Sequence, residues 1–166
     1  MPKGRLRHVA MSVPDPEKAA KFYQEAFGME YVGKSDSDIA KAVFLTDGVI
    51  NLALLAFKSD EMAQGFKKDY VGLHHIGFWV DDAKEACADV EKSGAKHLMG
   101  EVANMDGGFY EIKYHDPNGV IFDLSTHGWG GAVKDPGDSS EAGPSVESMR
   151  ARRAARKSKQ LEPAGD

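Results

Sequence analysis

The sequence predicts an α+β domain made of two similar units, each a strand, a helix and three further strands. The first observation behind this prediction is an internal repeat, in which HVAMSVPD (residues 8–15) aligns with HIGFWVDD (residues 75–82). A repeat is considered before single elements because it can decide the whole fold. The second observation is that each copy alternates apolar and polar residues and then passes through Asp into a segment with helical periodicity. We expect the two units at residues 5–57 and 72–128.

The first unit opens with a strand over residues 6–13, whose odd-numbered apolar positions share one face. Asp15 is a suitable N-cap and Pro16 a suitable first helical residue, because the proline lacks only an N–H that would be unpaired there. The helix is expected to run to about Phe27 and to end at Gly28. Its buried face is expected to comprise Ala19, Phe22, Tyr23 and Ala26. Three further strands are expected at residues 31–34, 42–45 and 50–57.

The second unit repeats this plan after a charged connector at residues 58–71. A strand is expected at residues 73–80, and Asp82 caps a helix over residues 83–92 that ends at Gly94. The sequence DPNG then marks a tight turn between the last two strands. The strands of this unit after the helix are expected at residues 96–99, 109–115 and 120–126.

Composition limits the class of protein. The chain has 166 residues, of which 42% are hydrophobic and 28% charged, as in an ordinary globular protein. The net charge of −5 gives no basis for nucleic-acid binding, and a single cysteine, Cys87, fits a reducing compartment. No apolar run approaches the roughly 18 residues of a membrane span. We therefore expect a cytoplasmic protein that binds neither nucleic acid nor membrane.

The composition changes near residue 133, which we take as the end of the domain formed by residues 1–133. Residues 134–166 begin with KDPGDSSEAGPS, a polar and turn-rich run that has little apolar surface to bury. Their final part, residues 146–160, is basic and compatible with a helix. The sequence therefore predicts a flexible polar tail, and a partner-binding arm is the alternative interpretation.

Three motifs occur in an order and spacing that resemble the vicinal oxygen chelate superfamily of glyoxalases, bleomycin-resistance proteins and extradiol dioxygenases. They are RLRHVAMSVPDPEKAAKFYQEAFGM, GLHHIGFWVDD and HDPNGVIFDL. The resemblance covers about residues 5–128. It implies that the two βαβββ modules form one cupped, barrel-like mixed sheet with the helices outside and a metal inside.

The resemblance also implies a set of metal ligands. His8 and His75 match the first-strand positions, Asp123 stands where the family usually has Glu, and Asn51 stands where four-ligand members have Glu or Gln. Strand alternation places all four on the face opposite the helix-packing residues. Two imidazoles and a carboxylate suit a divalent ion such as Fe, Mn, Ni or Zn. Asn51 either coordinates this ion or hydrogen-bonds a metal-bound water, whereas the neighbouring His74 points to the other face and is interpreted as structural.

Two charged residues match the family's substrate-facing positions. Glu111 and Lys113 lie on one face of the strand FYEIKYH, and near a metal they would serve as general base and anion clamp. The alternative is a sheet edge with solvated charges. Three further histidines lie near strand ends and are interpreted as surface residues. They are His97, His115 and His127.

The function favoured by these residues is that of a metal-dependent lyase or isomerase. Such an enzyme acts on a small substrate with two neighbouring oxygens through a metal-stabilised enolate, and we expect a homodimer. Against this prediction, Asn51 replaces a stronger ligand, and the usual base of the first unit falls near Ala42.

Two other functions stay open. The first is an extradiol Fe(II) dioxygenase, whose metal also has three protein ligands. Two positions disagree with the dioxygenase sequence signature. Lys113 stands where the signature has Tyr, and residues 104–106 stand where it has an upstream His. The second alternative is a metal-free protein that binds a small molecule such as a drug.

Overall fold

The computed structural model describes residues 3–103 and 111–136 of the chain. Its elements follow the predicted order in both units. The first unit comprises β1 (Gly4–Ser12), α1 (Pro16–Phe27), β2 (Glu30–Asp36), β3 (Ala40–Thr46) and β4 (Asn51–Phe57). The second comprises β5 (Gly72–Val80), α2 (Ala83–Lys92), β6 (Lys96–Met99), β7 (Ile112–His115) and β8 (Ile121–Ser125). The predicted α+β fold with two βαβββ units is confirmed.

The eight strands of the described residues form one mixed sheet in the order β2-β3-β4-β1-β5-β8-β7-β6. Within each unit the first and last strands pair in parallel, β1 with β4 and β5 with β8. The two units join where β1 pairs antiparallel with β5. The sheet is open, with β2 and β6 at its edges. This order places the first and last strands of both units side by side at the centre.

The two helices begin at the predicted caps. The Asp15 carboxylate accepts hydrogen bonds from two backbone N–H groups at 3.0 Å, and Asp82 accepts one at 2.7 Å. Gly28 ends α1 with a φ of 68°, a conformation that glycine adopts without strain. Each helix covers one apolar cluster on its own half of the sheet. The opposite face of the sheet is thereby left for the polar residues of the alternating pattern.

One expectation for α1 is wrong. Phe22 is 57% exposed and Ala26 is also exposed, whereas Ala19 and Tyr23 pack against the core cluster as expected. Adjacent helical residues lie about 100° apart, so the stripe that buries Tyr23 turns Phe22 outward. The Phe22 ring makes edge contacts with Tyr23 instead, at a centroid distance of 5.3 Å.

The expected strand over residues 109–115 is described only from its later part, because residues 104–110 lie outside the described residues. Most of the expected tail also lies outside them. Its described beginning contacts the domain: Lys134 pairs with Asp81 at 2.6 Å, and Arg5 pairs with Asp135 at 3.0 Å. The domain boundary therefore stays a prediction. Within the described ranges, no helix is both long and apolar enough to span a bilayer.

Candidate metal and catalytic centre

Three candidate metal-ligand side chains converge on the face of the central strands that the helices leave open. In the sheet register His8 pairs with Gly77, and Gly77 pairs in turn with Asp123 on the next strand. Since residues two apart on a strand share a face, His75 lies on the same side as Gly77. The donor atoms of His8, His75 and Asp123 all lie within 4.8 Å of one another, and all three residues are buried. The sequence thus correctly predicted that these side chains come together.

The hydrogen bonds behind His8 determine which of its ring nitrogens faces the centre. The Asn51 Nδ2 group donates to the Gly130 carbonyl at 2.7 Å, which leaves Asn51 Oδ1 to accept from His8 Nδ1 at 2.8 Å. His8 Nε2 is therefore unprotonated in the neutral ring and faces the centre. Asn51 positions His8 from behind, as outer partners of metal-binding histidines commonly do. Its coordination of a metal stays a prediction.

A second chain of hydrogen bonds determines the tautomer of His75. The Ala63 carbonyl can only accept, so His74 Nε2 donates to it at 2.9 Å. His74 Nδ1 then accepts from His75 Nδ1 at 2.7 Å, and His75 Nε2 is left unprotonated toward the centre. The interpretation of His74 as structural misses its hydrogen bond with His75. The His74 side chain does lie outside the cluster of His8, His75 and Asp123.

Burial keeps both rings neutral. It lowers the pKa of His8 to about 4, with a further lowering by the neighbouring His75. Burial also holds the pKa of His75 well below its usual value, and the Lys113 charge adds to this effect. Neutral imidazoles are the form that binds metals.

The centre is consequently a buried cluster of hydrogen-bond acceptors. The two unprotonated Nε2 atoms of His8 and His75 face each other at 3.3 Å, and Asp123 Oδ2 lies 3.3 Å from His75 Nε2. Acceptors forced together away from water are stable only with a cation or donor among them. Two nitrogens and a carboxylate oxygen also match the ligand types of Fe, Mn, Ni or Zn. The residues present fit such an ion.

Lys113 supplies a positive charge at the edge of this cluster. Its Nζ lies 2.7 Å and 2.6 Å from the two oxygens of Asp123, the residue opposite it across the β7–β8 pair. Burial lowers the pKa of Lys113, but the charges of Asp123 and Glu111 outweigh it and raise that pKa overall. Lys113 is only 5% exposed, so the alternative of a solvated sheet edge is wrong for this residue.

Glu111 lies beside Lys113 and is held by a residue that sequence reasoning missed. The Trp129 indole donates to Glu111 Oε1 at 2.7 Å, while Glu111 Oε2 lies 3.6 Å from Lys113 Nζ. The Trp129 ring also stacks on His8, with centroids 4.8 Å apart and planes within 8°. Trp129 follows the last strand, where strand periodicity gives no signal. A tryptophan within the glycine-rich run HGWGG was the one available hint.

The remaining candidates lie outside the cluster. His97 is exposed and bonds the Gly100 carbonyl, while His115 and His127 are partly buried and do not join the three donors. Cys87 is buried in the apolar cluster under α2.

Gly77 occupies the middle of the site, and this gives a testable prediction. A Cβ at this position would lie 2.6 Å from the Trp129 ring and 2.9 Å from His8 Cβ. Gly77→Ala is expected to displace both side chains, to weaken metal binding and to lower the free energy of unfolding by about 1–3 kcal/mol. Gly4→Ala is the control, because its Cβ would meet Val80 at an ordinary 3.4 Å. Equal unfolding and metal titrations for the two variants would show that the close packing at Gly77 does not matter.

Comparison with known proteins identifies the family. The model of the Glyoxalase/Bleomycin resistance protein/Dioxygenase superfamily matches residues 5–137. The chain belongs to this superfamily, which confirms the resemblance found in the sequence.

The similar proteins are enzymes. Human mitochondrial methylmalonyl-CoA epimerase is 36% identical over 129 residues, which cover 73% of each chain. Lactoylglutathione lyase of Neisseria meningitidis is 28% identical and is matched over 69% of this chain and 85% of its own. These relatives support an isomerase or lyase of the glyoxalase fold.

A solved structure agrees on the fold. A variant of Streptomyces coelicolor methylmalonyl-CoA epimerase in complex with 2-nitronate-propionyl-CoA superposes with a TM-score of 0.60 at 21% identity, covering 74% of this chain and 96% of that one. The expected dimer and cytoplasmic location stay predictions.

Proposed function

We propose that this protein is a metal-dependent isomerase that moves a proton on a carbon next to a carbonyl group, with an acyl-CoA such as methylmalonyl-CoA as substrate. The observation that carries this proposal is the buried acceptor cluster of His8, His75 and Asp123. The epimerases among the relatives support the choice of reaction and of substrate class.

Each residue has a distinct role in this proposal. His8, His75 and Asp123 hold the metal, and Asn51 and His74 keep the two imidazoles in the correct tautomer. When bound, a dication would supply positive charge to the substrate oxygens, which makes the adjacent C–H more acidic.

Glu111 is the proposed general base. The hydrogen bond from Trp129 holds Oε1, so Oε2 is the oxygen that takes up the substrate proton. The Glu111 side chain is 22% exposed, whereas Asp123 is fully buried. Glu111 can therefore meet a substrate arriving from solvent, while Asp123 stays within the cluster.

A glyoxalase-type reaction is the second candidate, and the position of Ala42 favours it. That residue, where the family's first-unit base is expected, is a buried methyl group that cannot transfer a proton. A single base on one face suits a proton transfer between two adjacent carbons, whereas epimerisation requires proton delivery to both faces of the carbon.

Proton exchange in D₂O distinguishes the candidates. Protein loaded with a divalent metal is incubated with methylmalonyl-CoA and, separately, with a 2-oxoaldehyde hemithioacetal, and deuterium at carbon is followed by NMR. Epimerisation with deuterium at C2 of the acyl group supports the proposal, and conversion of only the hemithioacetal supports the glyoxalase-type alternative. Oxygen consumption with a catechol would favour the dioxygenase. Ligand binding that EDTA does not affect, without turnover, would favour the metal-free binding protein.

Glu111→Gln gives a direct test of the base. The amide keeps the shape and can still accept from Trp129, but it cannot take up the proton. We expect kcat to fall by about 10²–10⁴-fold, with metal content unchanged. Glu30→Gln, an exposed change on the edge strand β2, is the control and should retain full activity. Wild-type kcat in Glu111→Gln would remove Glu111 from the mechanism.

A further inference from the structure

Lys113 is a buried ammonium group that holds both oxygens of a metal-ligand carboxylate. Its contacts with Asp123 Oδ1 and Oδ2 are 2.7 Å and 2.6 Å, and Asp123 has no exposed surface. The strand register fixes this arrangement, because residues 113 and 123 are direct partners in the β7–β8 pair. The ammonium therefore already balances the charge that a metal would balance.

A metal ion and this ammonium group compete for the two carboxylate oxygens of Asp123. A dication bound by the carboxylate needs at least one of the oxygens that now accept from Lys113. Two cations that share one buried carboxylate also repel each other strongly, since little water screens them there. One of the two cations must withdraw from the carboxylate.

The structure provides a place to which Lys113 can withdraw. Glu111 Oε2 lies 3.6 Å from Nζ and belongs to a second carboxylate within reach of the ammonium. A small rotation of the flexible lysine side chain would exchange one carboxylate partner for the other. The ammonium would then pair with Oε2, the oxygen of the proposed base, and an acidic group of the substrate would have to draw it away before Oε2 takes up a proton.

We propose that Lys113 is a displaceable counter-cation: it holds Asp123 in the metal-free protein, competes with the metal for this carboxylate, and moves to Glu111 when the metal binds. The proposal rests on the proposed function in one respect, namely that a metal binds at this cluster. The competition by Lys113 would make metal binding weaker than the three ligand side chains alone would allow. The Lys113 charge would also stabilise the metal-free fold.

Metal affinity tests the competition. Zn²⁺ binding to the full-length wild type and to Lys113→Met is measured by calorimetry with a competing chelator. Methionine keeps the length of the side chain without its charge, so we expect affinity to rise on the order of tenfold or more. Lys113→Arg keeps the charge and should bind no more tightly than wild type. Lys41→Met, an exposed change on β3, is the matched control and should leave affinity unchanged.

Thermal stability in EDTA gives a second measurement. The difference in melting temperature between Zn²⁺-loaded and EDTA-treated protein should be smaller in wild type than in Lys113→Met, because Lys113 supplies positive charge to Asp123 when the metal is removed. Lys113→Met should lose several degrees in EDTA and recover them with Zn²⁺, since Asp123 is then buried without a cation. Where Lys113→Met does not fold, Lys113→Gln serves the same test, as its amide can still donate to Asp123 without carrying charge.

The outcomes separate this proposal from the proposed function. Equal Zn²⁺ affinity in wild type and Lys113→Met would overturn the competition and leave the metal-dependent function intact. Binding by Lys113→Met alone would support the competition and overturn metal dependence in the wild type. Binding by neither protein would overturn both.

Discussion

Asp123→Asn is expected to abolish tight metal binding and also to lower the free energy of unfolding by about 3–5 kcal/mol. The amide keeps nearly the same shape but carries no charge to hold a dication. The amide oxygen can still accept from Lys113, but this buried ammonium loses the negative charge that it contacts at 2.7 Å and 2.6 Å. Chemical denaturation and elemental analysis measure the two effects.

Two further variants serve as controls for Asp123. The double variant Lys113→Met/Asp123→Asn removes both charges, so it should regain most of the stability while still failing to bind metal tightly. Asp123→Glu restores the residue usual in the family and should retain the metal. A metal stoichiometry in Asp123→Asn equal to that of wild type would exclude Asp123 as a ligand.

His8→Ala and His75→Ala are each expected to eliminate stoichiometric metal binding, because two remaining donors do not hold a dication tightly at a buried site. His74→Ala should keep the stoichiometry but weaken affinity by about 10–100-fold, the effect common for partners that orient a metal-binding histidine. The reason is the hydrogen bond from His75 to His74, which keeps His75 Nε2 unprotonated. Metal analysis of each protein after dialysis gives the stoichiometry, and chelator competition gives the affinity.

The exposed His97 provides the control for these changes. It contacts the Gly100 carbonyl away from the donor cluster, so His97→Ala should bind metal like wild type. Full metal occupancy in His8→Ala or His75→Ala would contradict the assignment of the site. An unchanged affinity in His74→Ala would show that the backbone alone positions His75.

Local patterns were sufficient for the elements and for the three converging donors. The N-cap Asp82 and the helical periodicity after it predicted α2 over the range that is observed. This prediction was possible because helix boundaries are determined by residues close in sequence. Likewise, His8 and His75 were found from the repeat, and Asp123 from the resemblance together with strand alternation.

The contacts around the donors needed three-dimensional information. Ala63 belongs to the connector and Trp129 follows the last strand, so no periodicity relates either residue to the histidines. Lys113 and Asp123 were each singled out, but not as partners. Counting outward from the DPNG turn would have set Lys113 opposite Phe122, whereas the observed register is one residue further along β8 and pairs Lys113 with Asp123.

The junction between β1 and β5 has a consequence for how the two units are held together. His8 and Asn51 belong to the first unit, and His75 and Asp123 to the second. Each unit alone therefore carries only part of the proposed metal site, and a metal bound at the junction would hold the two units together. The free energy of metal binding is then also a free energy of joining the halves.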